Sequence, residues 1–141
     1  MAIHFHFEKN HPLHQRRNLK RMLAAVFTEE GFLVGDIRFI FCSDEYLLSI
    51  NNRFLKHNFY TDIVTFDYSE PGSGFKDSEL YISVDRVIEN ASFHKVLVDN
   101  EMYRVLIHGI LHLCGFGDKT DIQKSKMKKT ENYYLSKLFN V

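Results

Sequence analysis

An apolar segment near the C-terminal end of the chain constrains the fold most strongly. From about Asn100 to Cys114 the residues are apolar on most sides of a helix, and they are Met102, Val105, Leu106, Ile107, Ile110, Leu111 and Leu113. A helix that is apolar almost all round is buried in a core. The segment therefore predicts a central helix against which the other elements pack.

The rest of the chain alternates between strand and helix patterns. Period-two alternation and dense β-branched or aromatic residues predict four strands, at Ile3–Phe7, Asp36–Cys42, Thr61–Phe66 and Leu80–Val84. Helical spacing with caps and stop residues predicts four further helices, at Pro12–Glu30, Ser43–Leu55, Asp85–Phe93 and Asp121–Phe139. Pro71 and its neighbouring glycines predict a surface loop from Asp67 to Ser78.

Length and composition favour one globular domain. The chain has 141 residues, of which 45% are apolar and 26% are charged, as is usual for a protein with one core. We therefore expect a single domain spanning residues 1–141, of the α+β class. It should contain a small mixed four-stranded sheet packed with about five helices.

The sequence favours a cytoplasmic location. The N-terminus lacks the basic start and apolar run of a signal peptide, and no apolar segment approaches the roughly 18–20 residues of a membrane span. The two cysteines, Cys42 and Cys114, have no metal-type spacing. We expect both thiols to be free in a reducing compartment.

The charges balance overall but cluster locally. The 18 Lys and Arg residues offset the 18 Asp and Glu residues, so the chain has no global attraction to polyanions. Two basic clusters occur, one with Arg16, Arg17, Lys20 and Arg21, the other with Lys124, Lys126, Lys128 and Lys129. Each cluster is either a solvated helix face or a local surface for nucleic acid.

Two histidines, His108 and His112, lie four residues apart in the central helix. Four residues advance a helix by about 400°, so both imidazoles project from nearly the same face, one turn apart. This spacing allows one helix to offer two nitrogens to a single metal ion. The alternative is a pair of core histidines hydrogen-bonded to backbone, since burying an imidazole without partners is costly.

Asp118 supplies a third possible ligand. Gly115 and Gly117 suit a turn that ends the helix and reverses the chain. Such a turn would return Asp118 toward the two imidazoles. Alternatively Asp118 caps the last helix, although Thr120 or Asp121 fits that role equally well.

We predict one bound Zn²⁺ ion with His108, His112 and Asp118 as its ligands and a fourth position left for water, as in catalytic zinc sites. Cys114 falls on the far side of the helix and is expected to pack rather than to coordinate. Many metallopeptidases place Glu after the first His as the general base. This chain has Gly109 there, which argues against a peptidase.

The motif from His108 to Asp118 reads His-Gly-Ile-Leu-His-Leu-Cys-Gly-Phe-Gly-Asp. It resembles the signature of the YbeY family of bacterial rRNA maturation factors, His-Gly-x-Leu-His-Leu-x-Gly-Tyr-Asp-His. Upstream, Thr61–Phe66 is similar to that family's Thr-Asp-Val-Leu-Ser-Phe segment, and Ser78–Ile82 is similar to its Gly-Asp-Ile strand. The resemblance covers roughly residues 45–120.

The resemblance implies an endoribonuclease that cuts single-stranded RNA with the help of a metal ion, usually zinc, that activates water. The family's three metal ligands correspond to His108, His112 and Asp118. The implied role is maturation of the small-subunit rRNA 3′ end and ribosome quality control. An rRNA precursor would be the substrate, and the ribosomal small subunit and assembly factors would be the partners.

Two positions depart from the family pattern. Asp118 stands where the family commonly has His, and a carboxylate is also a competent zinc ligand. Leu55 stands where the family commonly has Arg, six residues before Thr61. The flanking residues Arg53 and Lys56 are predicted to bind substrate instead, by stabilising charge on a phosphoryl oxygen.

Two other functions stay open. The missing arginine at Leu55 motivates a non-catalytic ribosome assembly factor that uses zinc only to stabilise its fold. The two-histidine helix motivates a metallopeptidase-like hydrolase, which Gly109 disfavours. A structural ion predicts unfolding on chelation, whereas a catalytic ion predicts lost activity with a modest loss of stability.

Six further histidines carry weaker signals. One of them, His94, closes the predicted helix that begins at Asp85, where a cation is mildly favourable. His4, His6, His11 and His14 are expected at the surface rather than as metal ligands. His57 precedes the third predicted strand, where it can line a cleft.

Overall fold

A computed structural model of the chain describes residues 2–56 and 61–139. The strands are β1 (Ala2–Phe7), β2 (Leu33–Cys42), β3 (Ile63–Asp67) and β4 (Phe75–Ser83). The helices are α1 (Arg16–Glu29), α2 (Asp44–Leu55), α3 (Val84–His94), α4 (Val98–Leu113) and α5 (Asp121–Phe139). These elements confirm the predicted α+β class. His57, which was predicted to line a cleft, lies outside the described residues. None of the described helices combines the length and apolar composition that a membrane crossing needs.

The four strands form one mixed sheet in the order β1-β2-β4-β3. β1 and β4 both run parallel to β2, and β3 runs antiparallel to β4. A parallel pair needs a crossover connection, and α1 supplies it between β1 and β2. This topology confirms the predicted mixed sheet.

The main core lies on one face of the sheet, where helices α1, α3, α4 and α5 pack. Helix α4 has five side chains that are 0% exposed, namely Met102, Leu106, Ile107, Ile110 and Leu111. It is therefore the central buried helix that the apolar segment predicted. The opposite face is covered by α2, whose Leu47 packs with Cys42 and Val64 in a smaller cluster.

Gly109 allows α4 to pack closely on the sheet. A Cβ atom at this position would lie 2.6 Å from Leu80 Cδ2 and 2.7 Å from Ile63 Cδ1. A side chain here would be directed into the sheet. A glutamate in this place, as in metallopeptidases, would therefore meet the core and would not reach the face that carries the histidines.

Two element boundaries differ from the predictions. The loop before the fourth strand is shorter than predicted, because β4 begins at Phe75 rather than Leu80 and pairs with β2 from there. Helix α1 begins at Arg16 rather than Pro12. Leu13 is buried without being helical, so its apolar character extended the helical pattern beyond the helix itself.

One histidine prediction was wrong. His4, His6 and His14 are exposed, as expected, but His11 is only 8% exposed. The chain before α1 packs against the core instead of crossing the surface, as the buried Leu13 also shows. Burial lowers the pKa of His11, and its Nε2 has no hydrogen-bond partner within the described part of the chain.

Candidate metal centre

The three predicted metal ligands converge at the C-terminal end of α4. His108 and His112 lie one turn apart, and their Nε2 atoms are 2.9 Å from each other. Asp118 Oδ2 lies 3.1 Å from the Nε2 of His112 and 3.4 Å from the Nε2 of His108. Among residues 2–56 and 61–139, these three form the one group whose potential ligand atoms all lie within 4.8 Å of one another.

A glycine turn at the end of α4 brings Asp118 to this position. Gly115 has a φ of +97°, a conformation that favours glycine. Its amide donates to the His112 carbonyl at 3.0 Å. The next amide, of Phe116, donates to the Leu111 carbonyl at 2.9 Å. This pair of bonds is a Schellman motif, and it reverses the chain as the two glycines predicted.

The start of α5 is capped without Asp118. Thr120 Oγ1 accepts a hydrogen bond from the Gln123 amide at 3.1 Å. Gln123 Oε1 accepts in return from the amides of Thr120 at 3.1 Å and Lys119 at 3.0 Å. This reciprocal arrangement is a capping box. The carboxylate of Asp118 therefore points to the histidines rather than to the helix end.

Each imidazole is oriented by a hydrogen bond from its other ring nitrogen. His108 Nδ1 donates to Glu131 Oε2 at 2.6 Å, and His112 Nδ1 donates to the Phe116 carbonyl at 2.8 Å. Because each Nδ1 faces an acceptor and carries the proton, each Nε2 presents a lone pair. Histidine ligands of metal ions are usually fixed in this way.

The convergence of these atoms fits a cation. Two lone pairs and a carboxylate oxygen within 3.4 Å of one another repel unless a cation or a proton lies between them. Tetrahedral zinc with bonds of about 2.0–2.2 Å holds its ligand atoms roughly 3.3–3.6 Å apart. The His108–Asp118 distance of 3.4 Å lies within that range, and the other two distances, 3.1 and 2.9 Å, are shorter than its lower end. Two imidazoles with one carboxylate suit Zn²⁺.

Protons compete with a cation for this site. Burial lowers the pKa of His108. The hydrogen bond and charge of Glu131, together with the charges of Asp118 and Asp62, raise it by more than burial lowers it. The net result is a pKa above the ordinary histidine value. Metal affinity should therefore fall as the pH falls through that raised pKa, because the protonated imidazole is no longer a ligand.

Glu131 contacts the candidate metal centre, and no sequence motif had indicated it. It is 6% exposed, and its Oε1 accepts a hydrogen bond from Arg104 Nη1 at 2.8 Å while Oε2 accepts from His108. Arg104 Nη2 donates in turn to Asn132 Oδ1 at 2.7 Å. Glu131 thus links α5 to the candidate metal centre on α4.

A signal for Glu131 was present in the sequence. It lies at helical spacing within the apolar stripe of α5, which consists of Met127, Tyr134, Leu135 and Leu138. Carboxylates are rarely buried unless they are paired, so an acid in a buried stripe predicts a charged partner.

Cys114 takes no part in the centre, as expected. It packs against the main core, and both cysteines of the chain are free thiols. Burial raises the pKa of Cys114 to about 12. The thiol is therefore protonated at neutral pH, and the thiol form is a poor metal ligand.

The candidate metal centre opens on a cleft of about 600 Å³. His108 and Asp118 form part of its wall. Three basic residues also line the cleft, namely Arg104, Lys124 and Lys128, with the acidic residues Asp62, Glu101 and Glu131. Lys124 and Lys128 come from the late basic cluster and lie one turn apart on α5, so that part of the cluster faces the site rather than bulk solvent alone.

The predicted substrate-binding residues lie elsewhere in the described structure. Arg53 is in the last turn of α2, and Lys56 follows its end with a φ of 56°. Neither is among the described residues that line the cleft. Leu55 between them is 39% exposed, and the guanidinium of Arg53 lies over the Phe54 ring, 5.7 Å from its centroid. Their contribution to substrate binding stays a prediction.

The fold and motif have counterparts among known proteins. Residues 4–139 match the family model described as Endoribonuclease YbeY. The chain belongs to the YbeY endoribonuclease family. This membership confirms the family and the enzyme class that the histidine motif predicted.

Relatives match this chain over nearly its whole length. Endoribonuclease YbeY of Cytophaga hutchinsonii is 42% identical, and the match covers 94% of this chain and 92% of the relative. Endoribonuclease YbeY of Christiangramia forsetii is 40% identical, with 99% and 95% covered. A solution structure of a Thermotoga maritima protein has a TM-score of 0.70 at 25% identity, covering 98% of this chain and 89% of that one.

Removing the Glu131 carboxylate should weaken metal binding. In Glu131→Ala, His108 loses the acceptor that fixes its tautomer, so zinc affinity should fall about 10- to 100-fold. Zinc titration against a competing chelator, on folded protein at fixed pH, measures the change. Glu131→Gln keeps an acceptor of the same shape and should bind zinc more tightly than Glu131→Ala. Equal zinc affinity in the wild type and Glu131→Ala would contradict the positioning role.

Proposed function

We propose that the protein is a zinc-dependent endoribonuclease that cuts single-stranded RNA. The observation that carries the proposal is the convergence of two imidazole Nε2 atoms and Asp118 Oδ2. Two of these residues, His108 and Asp118, line a cleft that also contains three basic side chains. The family relation supports RNA as the substrate, since the matched relatives are named endoribonuclease.

The ligand set favours a catalytic ion over a structural one. His108, His112 and Asp118 would hold the ion, which when bound supplies Lewis-acid chemistry by polarising the phosphodiester and acidifying water. Structural zinc sites usually close with four protein ligands, whereas catalytic sites keep one position open. The three ligands and the adjoining cleft therefore support an enzyme rather than the zinc-stabilised assembly factor that the sequence left open.

The basic side chains around the centre have two different roles, which are to bind RNA phosphates and to orient Glu131. Lys124 and Lys128 bind phosphates of the RNA backbone, which attract basic residues irrespective of sequence. Arg104 is held by Glu131 and orients that carboxylate instead of moving toward substrate. This arrangement keeps His108 ready for the metal while the lysines bind the strand.

Asp62 is the cleft carboxylate available to accept a proton. Asp118 is a metal ligand, Glu131 is paired with a histidine and an arginine, and Glu101 lies 3.7 Å from His94. Asp62, just before β3, makes no ion pair within the described part of the chain, and its charge acts on His108. It is therefore the group that would take the proton from the attacking water.

The family relation also supports a specific biological substrate. In this proposal the protein acts in the cytoplasm on a small-subunit rRNA precursor, in 3′-end maturation and ribosome quality control. The ribosomal small subunit and assembly factors are its partners. This part of the proposal is supported by the YbeY resemblance and not by a feature of the cleft.

A small-subunit rRNA precursor should be cut by zinc-loaded protein and left intact by chelated protein. His112→Ala removes one ligand, and loss of the ion's several kcal/mol of transition-state stabilisation should slow cleavage roughly a hundredfold or more. Mapping of the product ends by gel electrophoresis measures the activity. His6→Ala, which changes an exposed histidine outside the centre, serves as the control.

Two further outcomes would alter the account. Full cleavage by a folded His112→Ala variant would contradict the proposed site. A thermal melt in which chelator unfolds the protein, together with no cleavage by the zinc-loaded form, would favour the assembly factor.

The lysines of the cleft should set the salt dependence of RNA binding. The slope of log K against log salt is negative, and each lost phosphate contact makes it less steep by about 0.7 for a single strand. The slope of the double variant Lys124→Ala/Lys128→Ala should therefore be less steep than that of the wild type by about 1.4. Fluorescence anisotropy with one labelled RNA at several salt concentrations measures the slope. Lys129→Ala changes an exposed lysine on the same helix that does not line the cleft, and its slope should match the wild type. An equal loss in Lys129→Ala would show that the cleft has no special role.

A further inference from the structure

A second, smaller cavity continues the cleft along α4 and α5. Its volume is about 270 Å³, and it is lined by Val96, Asn100, Glu101, Arg104, Asn132 and Leu135. Val96, Glu101 and Arg104 also line the cleft of the candidate metal centre. The two cavities therefore adjoin, and we call the smaller one the α4–α5 groove.

We propose that the α4–α5 groove holds an unpaired base of the RNA strand whose phosphate lies at the candidate metal centre. This inference rests on the proposed endoribonuclease function and adds to it a binding site for one nucleotide. It identifies the recognised chemistry as a planar heteroaromatic ring on an unpaired strand.

The lining of the groove suits a nucleobase. Val96 and Leu135 offer apolar contact to the faces of a ring, whereas Asn100 and Asn132 carry amide groups that can pair with its polar edge. Proteins recognise unpaired RNA bases by this combination of apolar contact and edge hydrogen bonds. The volume of about 270 Å³ lies just below the usual range of ligand pockets, about 300–1,000 Å³, which fits one base rather than a larger ligand.

The spacing along α4 relates the groove to the metal centre. Arg104 and Asn100 precede His108 by four and eight residues, so they lie about 6 and 12 Å from it along the helix axis. A strand covers 12 Å in roughly two to four nucleotides. A base in the groove and a phosphate at the centre can therefore belong to nearby nucleotides of one strand.

An exposed aromatic residue lies beside the cleft. Phe93 is 82% exposed, and its ring centroid is 5.4 Å from the ring of His94, which lines the cleft. Such exposure gives the side chain little role in folding, whereas bases stack readily on an exposed ring. His94 Nδ1 also lies 3.7 Å from Glu101 Oε1, so the ring beside Phe93 is next to a residue that lines both the cleft and the groove.

The charges beside the groove favour RNA over a protein partner. The cleft that adjoins it contains Lys124 and Lys128, which match a phosphate backbone. Within the groove, the lining residues Arg104 and Glu101 carry opposite charges, so the groove has no excess of either charge. A nucleotide strand matches this arrangement, because its neutral base would lie in the groove while its anionic phosphates lie in the basic cleft.

The test measures binding separately from cleavage. Zinc-loaded protein is titrated with an eight-nucleotide single-stranded RNA whose phosphorothioate linkages resist cleavage. Phe93→Ala should weaken binding roughly fivefold or more, because the base next to the one in the groove loses the exposed ring on which it stacks. Val96→Asp, which places a negative charge at a position 44% exposed in the groove, should weaken it as well. Leu33→Ala removes a 69% exposed apolar side chain from outside both cavities and should leave binding unchanged.

A duplex RNA of the same length separates base recognition from backbone attraction. Paired bases cannot enter the groove or stack on an exposed ring, so Phe93→Ala should not reduce duplex affinity by more than the control does. Val96→Asp should reduce duplex affinity less than single-strand affinity, because only the repulsion between its charge and the phosphates remains. Single-strand affinity that is unchanged in both variants would overturn the inference while leaving the proposed nuclease function intact. Unchanged affinity for single-stranded RNA with weakened binding to purified small ribosomal subunits would also overturn the inference, and it would assign the groove to contact with the assembled subunit instead of an unpaired base. If the zinc-loaded wild type binds no single-stranded RNA, the proposed function and this inference both fail.

Discussion

The two imidazoles on α4 have four ring nitrogens in a partly buried place, and each nitrogen requires a partner. The Nδ1 atoms find theirs in the carboxylate of Glu131 and the carbonyl of Phe116. The Nε2 atoms face each other and Asp118, which leaves three acceptors in mutual contact. A bound cation satisfies all three together. The two Nε2 lone pairs on the buried helix therefore require a cation, and that cation is the one that the proposed chemistry uses.

Distant parts of the chain hold this arrangement in place. Gly109 lets α4 lie close against the sheet, which fixes the helix from one side. The Schellman turn at Gly115 fixes both the carbonyl that orients His112 and the direction of the chain toward Asp118. Helix α5 then returns across α4 and contributes Glu131 from the other side. The ligands are therefore positioned by packed elements rather than by a loose loop, as a metal centre requires.

Much of this centre could be predicted because its signals are local. The two histidines share a helix face by the helical period alone, and the glycines at 115 and 117 predicted the reversal that brings in Asp118. Glu131 and the two cleft lysines depend on how α5 packs against α4, which the spacing of residues along one helix does not specify. The basic cluster could be found from composition, but its division into cleft-lining and solvated lysines could not.

The fold shows the same distinction between local and tertiary effects. The mixed sheet and the central helix followed from periodicity and from a nearly all-apolar helix. The early start of β4 was missed because strand pairing with β2 overrides the loop-like composition around Pro71. The burial of His11 was missed because the segment before α1 packs on the core without regular structure. In each case a tertiary contact decides the outcome.

The X-ray absorption spectrum of the zinc-loaded protein, recorded at the zinc edge, tests the ligand set most directly. With one zinc ion per chain, we expect the zinc to have only nitrogen and oxygen neighbours, with bonds of about 2.0–2.2 Å. The spectrum should also show the multiple-scattering pattern of two imidazoles. A sulfur neighbour at about 2.3 Å would place Cys114 or Cys42 in the site and contradict the account. The signature of fewer than two imidazoles would contradict it equally.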